Sequence, residues 1–314
     1  MAELDEAGRT TLPRAQGSSR ARPARRSRLD GPAWLPWAYL LPALLLYGGF
    51  LLFPLFRAAQ YSLFAWDGLT PSSTFVGLQN YVTVFADARL REAFGHALVL
   101  IFFYAVLPLA IGLLLAPILT RGKVRGLGFF RVVIFLPQVI AMVVVAVTWR
   151  QLYAPDGPIN ALLRAVGLGS LTRAWLGDYT WTLPAVGLVG TWVSAGLVTV
   201  LLMAGIARIP QDLFEAARLD GAGPVAEFFA ITLPSLRGEI AVALTLTIVA
   251  ALKTFDLVYV TTGGGPGSST TVPSYEVFRN AFELGRVGIA TAIGVVLTAI
   301  VFAINAVVNR IGER

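Results

Sequence analysis

The sequence predicts an all-α membrane protein with six transmembrane helices and both termini in the cytoplasm. Of its 314 residues, 56% are hydrophobic and only 14% are charged, whereas a soluble domain carries about 25% charged residues. Long stretches without any charge concentrate this apolar content, and the backbone inside lipid must satisfy its own hydrogen bonds as helix. These stretches disfavour a soluble protein with buried helices. They also disfavour a transmembrane barrel, because its strands would alternate apolar and polar residues.

Five stretches without Asp, Glu, Lys or Arg are long enough to cross the hydrocarbon core, which takes about 17–25 residues of helix. They contain 26, 28, 18, 29 and 23 residues and lie at 31–56, 93–120, 132–149, 179–207 and 287–309. A sixth, 240–252, becomes a span only by continuing to Val260 across Lys253 and Asp256. We therefore expect transmembrane helices near residues 34–56, 94–119, 129–149, 181–204, 239–260 and 286–309.

The basic residues predict the orientation of these spans. Sixteen of them lie in the N-terminal tail, the two connections on the same side and the C-terminus, and eight lie in the other connections. Positive charge is enriched in cytoplasmic segments, so both termini are expected in the cytoplasm. Residues 1–33, rich in Arg, Ala, Ser and Pro, are expected to form a disordered tail, and residues 34–314 one membrane domain.

The connections on the far side are expected at residues 57–93, 150–178 and 261–284. The last opens with a glycine-rich run, and the second is expected to contain a short amphipathic helix that starts near Asn160. On the cytoplasmic side, residues 205–238 form a connection of unusual content. Arg25-Arg26 before an apolar run is also typical of a twin-arginine export signal, but no small-residue cleavage site follows, which favours a retained helix.

Several functions are excluded or disfavoured by composition. The chain has no cysteine, which excludes disulfides, thiolate metal sites and cysteine nucleophiles, and we predict no metal site and no catalytic residue. The single histidine, His96, is expected to be structural. The net charge of +7 is attributed to basic residues that set the membrane topology, and it does not indicate that the protein binds nucleic acid.

The connection at 205–238 is predicted to form a helix–turn–helix elbow at the membrane surface. Pro210 suits a first helical turn, and residues 211–219 are mostly good helix formers. Gly221 suits a reversal with positive φ, after which Pro224 starts a second short helix and Pro234 ends it. Small side chains at 216 and 217 leave one face that either docks a partner or rests on the membrane.

The same loop resembles the signature loop of ABC importer permeases. That signature is Glu-Ala-Ala, three residues, Gly, nine residues and Ile-x-Leu-Pro, which occurs here as 215–217, Gly221 and 231–234 without departure. Residues 76–81, 130–137 and 253–266 are similar to the carbohydrate branch of the family, and the resemblance covers about residues 35–310.

This resemblance implies a permease subunit in a bacterial inner membrane, moving a sugar or sugar derivative that an extracytoplasmic solute-binding protein delivers. It implies a pair of cytoplasmic ATP-binding subunits, which bind ATP and Mg, and a second homologous permease; this chain itself would bind no cofactor. The loop would be the coupling helix that contacts the ATP-binding subunits. That role falls on five residues: Glu215, Ala216, Ala217, Asp220 and Gly221.

Four other residues are candidates for lining the transport path. Lys253 and Asp256 are three positions apart and would share one face of the fifth span, either lining the path or pairing with each other near the outer interface. Trp192 and Ser194 in the fourth span either line the path, since indole rings stack on sugar faces, or serve in packing.

An alternative to an ATP-driven importer is an ion-coupled secondary transporter. It would need an ionisable site inside the membrane, for which Lys253, Asp256 and His96 are the candidates. The run at 263–267 lacks the Lys-Ser/Thr of a nucleotide-binding loop. Energy is therefore expected from a separate subunit.

Overall fold

The computed structural model describes residues 34–71, 73–121 and 126–312. The predicted basic tail, residues 1–33, lies outside the described residues, as do residues 122–125 between the second and third predicted spans. The chain divides between Phe53 and Pro54 into two compact units. The prediction of a single domain from residue 34 onward stays a prediction.

The first unit is helical. It contains α1 (Leu35–Tyr47), followed by a π-helical turn at Gly48–Leu52. Apolar side chains such as Leu45 and Phe50 are 66% and 81% exposed, which is favourable only if they face lipid or another apolar surface. The candidate membrane span Trp37–Tyr61 corresponds to the first predicted span.

The second unit begins with most of a nine-residue helix, a small hairpin and an eight-residue helix, followed by one long helix. The hairpin pairs Phe64 with Phe75 and Ala65 with Thr74 in antiparallel register. A π-helical turn at Phe102–Val106 joins α4 to α5 without interruption. The elements are α2 (Phe53–Tyr61), β1 (Phe64–Ala65), β2 (Thr74–Phe75), α3 (Gln79–Ala86), α4 (Ala88–Ile101) and α5 (Leu107–Arg121).

The remainder is almost entirely helical. π-Helical turns at Phe228–Thr232 and Arg279–Glu283 and a 3₁₀ turn at Gly169–Leu171 join some of its helices. The elements are α6 (Leu127–Val139), α7 (Met142–Leu152), α8 (Pro158–Ala165), α9 (Thr182–Ile206), α10 (Gln211–Leu219), α11 (Pro224–Glu227), α12 (Leu233–Ser235), α13 (Arg237–Leu252), α14 (Asp256–Thr261), α15 (Pro273–Phe278) and α16 (Val287–Gly312).

Four single helices among the described residues are long and apolar enough to cross a membrane: Trp37–Tyr61, Ala88–Thr120, Thr182–Ile206 and Val287–Arg310. They correspond to the first, second, fourth and sixth predicted spans. Two further helix pairs qualify only if each bent pair counts as one span. The all-α class is confirmed, with four to six candidate spans.

The third predicted span is not one continuous helix. α6 and α7 meet at an angle of 98°, because Ile140 and Ala141 have extended backbones between them. α6 packs against α9, whereas α7 packs against α14. A charge-free apolar sequence does not indicate whether the helix it forms is straight or bent. The bend is therefore decided by the different packing partners of α6 and α7.

The fifth predicted span is shorter than expected. α13 ends at Leu252, Lys253 lies in the cap, and a separate helix begins at Asp256. At its other end, α13 is bent by 67° from the helical segment Pro224–Ser235. Lys253 and Asp256 therefore do not share a face of one helix, and that prediction is wrong.

The first predicted outer connection is also more ordered than expected. Helix α2 extends to Tyr61 and α4 already begins at Ala88, so the hairpin and α3 occupy most of residues 57–93. Asp87 caps α4 by accepting a hydrogen bond from the Arg89 amide at 2.8 Å. A carboxylate at this position satisfies an amide left free at the helix start.

Helix α9 is the most buried of the candidate spans. A β-carbon at Gly196 would clash with the carbonyl oxygen of Ile134 in α6, and one at Gly190 would clash with the Tyr104 ring, each at less than 3.0 Å. Both glycines therefore permit a close approach that no side chain would allow. Small residues serve this purpose between membrane helices, where van der Waals packing drives association.

Gly196→Ala should destabilise the chain by about 1–3 kcal/mol, because overpacking forces α6 and α9 apart. The measurement is the thermal unfolding midpoint of the full-length chain in detergent. Gly95→Ala is the matched control, since Gly95 is also helical and a β-carbon there would have no atom within 4 Å. An equal midpoint for the two variants would contradict close packing at Gly196.

Candidate functional site

The elbow predicted from the sequence is present and occupies residues 210–235. Pro210 has an extended backbone immediately before α10, which runs from Gln211 to Leu219. Gly221 has a φ of +83°, and a β-carbon at this position would have no atom within 4 Å. The reversal therefore depends on the backbone freedom of glycine and not on a lack of space.

The second arm of the elbow begins at Pro224, as predicted, but does not end at Pro234. After α11 the chain passes through the π-helical turn Phe228–Thr232 into the short α12. The Leu233 amide bonds to the Phe228 carbonyl, five residues back. The helix thus changes register just before the proline, which then occupies a first-turn position where its missing N–H costs little.

An ion pair joins the two arms of the elbow. Arg218 Nε donates to Glu227 Oε1 at 2.7 Å, and Arg218 Nη2 donates to Glu227 Oε2 at 3.5 Å. The hydrogen bond to Glu227, and secondarily its negative charge, raises the pKa of Arg218 above its usual value. The Glu227 side chain is only 8% exposed, so its carboxylate needs such a partner.

The residues predicted to contact an ATP-binding subunit lie together on the elbow surface. Phe214 points inward and is 4% exposed, which anchors α10 to the rest of the protein. Apolar side chains are exposed on the same elbow, namely Leu213, Leu219 and Val225. Of the predicted set, Glu215, Ala216, Asp220 and Gly221 are exposed and Ala217 is half-buried.

Two cavities flank Arg218, and their lining residues show which helix the elbow lies beside. One, of about 510 Å³, lies between Thr120 of α5 and Gln211 of α10, and the other, of about 550 Å³, lies between Pro117 and Glu227. The elbow therefore sits at the α5 end of the helix Ala88–Thr120. At 1.5 Å per residue, the α4 end of this 33-residue helix lies about 50 Å away.

Lys253 and Asp256 are both exposed. No ion pair joins them among the described residues, so the expected mutual pairing is not observed. Trp192 is 42% exposed and its ring centroid lies 5.5 Å from that of Trp149, whereas Ser194 is buried. Being two positions apart on one helix, these two side chains point in different directions.

The sequence reading missed an aromatic cluster beside these charges. Phe255 and Tyr259 stack at 5.2 Å, and Phe278 lies 5.4 Å and 5.3 Å from them. Phe282, which is 78% exposed, extends the cluster at 5.3 Å from Phe278. The four residues come from two segments about 20 positions apart, so no local periodicity indicates their meeting.

Within the described ranges, no group of three or more His, Cys, Asp or Glu side chains could hold a metal ion. His96 instead contacts the main chain, with Nδ1 at 2.9 Å from the Thr271 carbonyl oxygen.

Comparison with known families gives a match over residues 108–314. The family is described as "Binding-protein-dependent transport system inner membrane component". The probable ABC transporter permease protein YurN of Bacillus subtilis is 41% identical over 276 residues, which cover 86% of this chain and 93% of that protein.

Two other relatives carry names of sugar systems. The diacetylchitobiose uptake system permease protein NgcF of Streptomyces coelicolor is 34% identical and covers 95% of this chain and 90% of its own length. The trehalose/maltose transport system permease protein MalF of Thermococcus litoralis is 34% identical, over 90% of this chain and 94% of its own length.

Solved structures agree with these relatives. A bacterial ABC transporter involved in the import of the acidic polysaccharide alginate contains a chain that superposes with a TM-score of 0.77 at 25% identity, over 90% of this chain and 96% of that chain. A chain of the same kind of transporter, in complex with an alginate pentasaccharide-bound periplasmic protein, gives a TM-score of 0.74 at 25% identity, over 88% and 93% of the two chains.

The chain therefore belongs to the family of membrane permease subunits of binding-protein-dependent transport systems. It is an integral membrane protein and a permease of a binding-protein-dependent ABC importer. Permease subunits are not themselves enzymes, and the ATPase of these systems is a separate subunit.

Glu227→Gln should loosen the elbow, because it removes the charge that holds Arg218 across the turn. We expect chymotrypsin to cleave the elbow of the full-length chain in membranes several-fold faster, since local opening controls cleavage of a folded segment. Glu239→Gln is the control: its partner Arg208 is 77% exposed at 3.4 Å, and exposed pairs contribute little. Equal cleavage of both variants would contradict the bracing role.

Proposed function

We propose that this chain is the membrane-spanning subunit of an ATP-driven importer through which a sugar or sugar derivative passes. The observation that carries the proposal is the elbow, an exposed and internally braced surface with the importer signature. The sugar class is supported by the relatives, whose names include diacetylchitobiose, trehalose and maltose, and by the structural likeness to alginate importers.

The chain is proposed to cross a bacterial inner membrane six times, with both termini in the cytoplasm. Each bent helix pair then counts as one crossing. The elbow side carries more basic residues than the opposite side, which supports its cytoplasmic location. Residues 1–33 form a cytoplasmic tail and residues 34–314 the transmembrane domain in this proposal.

The elbow is proposed to dock into a pair of cytoplasmic ATP-binding subunits. Ala216 permits a close approach of the partner backbone, Glu215 and Asp220 supply polar contacts, and Leu213 and Leu219 offer apolar surface that water would otherwise contact. ATP and Mg are bound by the partner subunits, and this chain holds no cofactor. Closure of the partners around ATP would then move the elbow.

The transport path is proposed to pass the aromatic cluster and to be lined also by Lys253, Asp256 and Trp192. Aromatic rings present flat apolar faces, and the adjacent charges can bind hydroxyl groups, a combination suited to a sugar. Ser194 is the weakest member of the predicted set because it is buried.

A second homologous permease is proposed to cover this face. A charged side chain facing the bilayer centre costs about 2.5–3.5 kcal/mol on insertion scales, and Lys253 and Asp256 are exposed on the isolated chain. A partner that encloses a shared path would remove both charges from lipid. An ion-coupled secondary transporter is not favoured, since the family is that of importers with a separate ATPase.

Uptake of labelled sugars tests the substrate class and the energy source together. The panel contains diacetylchitobiose, trehalose, maltose and alginate oligosaccharides, and it is offered to cells with and without this subunit, before and after ATP depletion. We expect one sugar to lose ATP-dependent uptake when the subunit is absent. Uptake that follows a proton or sodium gradient instead would refute the importer.

Gly221→Val should reduce ATP-dependent uptake at least about tenfold while leaving the amount of inserted chain unchanged. A β-branched residue at positive φ is strained by about 1–3 kcal/mol, and a tenfold loss corresponds to about 1.4 kcal/mol. The elbow would therefore lose its docking shape.

Gly223→Val is the matched control for this prediction. Gly223 also has open space around it, but its φ is −80°, so a side chain is accommodated without strain. Near-normal uptake by both variants would show that the reversal at Gly221 is not needed for coupling.

A further inference from the structure

A stripe of polar side chains lies on α4, at the end of the long helix opposite the elbow. Arg89, Glu92 and His96 are spaced by three and four residues, so they share one face of the helix. Each of them contacts the segment 268–276, which follows the glycine-rich run. We call these three residues and their partners the α4 clamp.

The buried contact of the clamp is centred on Glu276, which is 0% exposed. Its Oε1 accepts from Arg89 Nε at 2.7 Å and from Thr271 Oγ1 at 2.7 Å. Its Oε2 accepts from Arg279 Nη1 at 3.5 Å and from Asn280 Nδ2 at 3.4 Å. One carboxylate thus collects four donors, two of them guanidinium groups.

Two further contacts complete the clamp. Ser268 Oγ donates to Glu92 Oε2 at 2.8 Å in an exposed position. His96 Nδ1 lies 2.9 Å from the Thr271 carbonyl oxygen; because a carbonyl only accepts, Nδ1 carries the proton. Three successive turns of α4 therefore hold one segment at three points.

The clamp connects directly to the aromatic cluster. Glu276 and Phe278 belong to the same six-residue helix, α15, and Phe278 packs against Phe255 and Tyr259 of the α14 region. Residues that hold Glu276 consequently hold the short helix that carries Phe278 two positions later. Removing one partner of a buried charge pair is strongly destabilising because the other charge is left unpaired, so the clamp depends on both Arg89 and Glu276.

We propose that Arg89 and Glu276, with Glu92 and His96, are positioning residues that fasten residues 268–280 to α4 and thereby set the aromatic cluster in place. In this role they act through the cluster and not through a solute. Only the last consequence, that the positioned cluster lines the transport path, rests on the proposed function. The attachment itself is independent of the substrate.

The absence of cysteine in the chain allows two unique reporter pairs. Glu92→Cys with Ser268→Cys replaces the exposed contact and leaves the buried one intact, whereas Tyr259→Cys with Phe278→Cys reports on the cluster. The full-length chain with the first pair also carries a protease site inserted in the exposed residues 166–169, and after treatment with a short bifunctional thiol reagent in native membranes, cleavage separates its halves unless they are cross-linked. Both cysteines of the second pair follow this site, so they are read differently. Trypsin releases them in one peptide, residues 254–279, whose mass distinguishes one bridging reagent from two singly attached ones.

Both pairs should cross-link in most molecules, and adding Glu276→Gln should lower each yield at least threefold at equal membrane content. Glu283→Gln, at an exposed glutamate seven positions further along the chain, should leave both yields unchanged. If Glu276→Gln prevents accumulation, Arg89→Lys, which keeps the charge but loses the Nε contact, should give an intermediate fall.

The outcomes separate the parts of the proposal. An unchanged yield for the first pair would show that Glu276 does not fasten the segment, and failure of this pair to cross-link at all would show that the contact is absent. If Glu276→Gln lowers the cross-link yield of the first pair alone, the proposal that the clamp positions the aromatic cluster is wrong. Failure of every sugar to be taken up in an ATP-dependent manner would affect the proposed function and not these yields.

Discussion

The close packing around α9 is the constraint on which the rest of the membrane domain depends. Within lipid, helices gain little from hydrophobic burial against each other, so association depends on surfaces that fit closely. Gly190 and Gly196 remove the side chains that would separate α9 from its neighbours. With α9 fixed, α6 is held on one side and the π-helical junction between α4 and α5 on another.

The long α4–α5 helix has an arginine–carboxylate ion pair near each of its two ends. At one end the Arg218–Glu227 pair braces the elbow beside Thr120 and Pro117 of α5. At the other end the α4 clamp holds the segment that carries Glu276 and Phe278. In both ion pairs the carboxylate is buried, and its pairing with an arginine holds a connecting segment in place. Loss of either partner would leave a charge buried without its counter-charge, which is strongly destabilising.

The sequence predicted the elements whose signals are local. Gly221 and Pro224 indicate a reversal and a helix start through backbone chemistry alone, and both are found where predicted. The ends of helices next to Lys253 and Pro234 were not predicted correctly. At Lys253 an apolar run continues across a break, and at Pro234 a π-helical turn changes the register before the proline. The coupling and path-lining roles of individual residues stay predictions.

By itself, the sequence determined the helical class, the apolar segments and the elbow motif, because charge-free length, glycine, proline and a local signature need no knowledge of distant residues. The tertiary structure decided the 98° bend between α6 and α7, the separation of Lys253 from Asp256, and the meeting of Arg89 with Glu276. These features depend on contacts between segments as far apart as 187 positions. No local pattern encodes such a contact, since it arises only when the packed helices bring its two partners together.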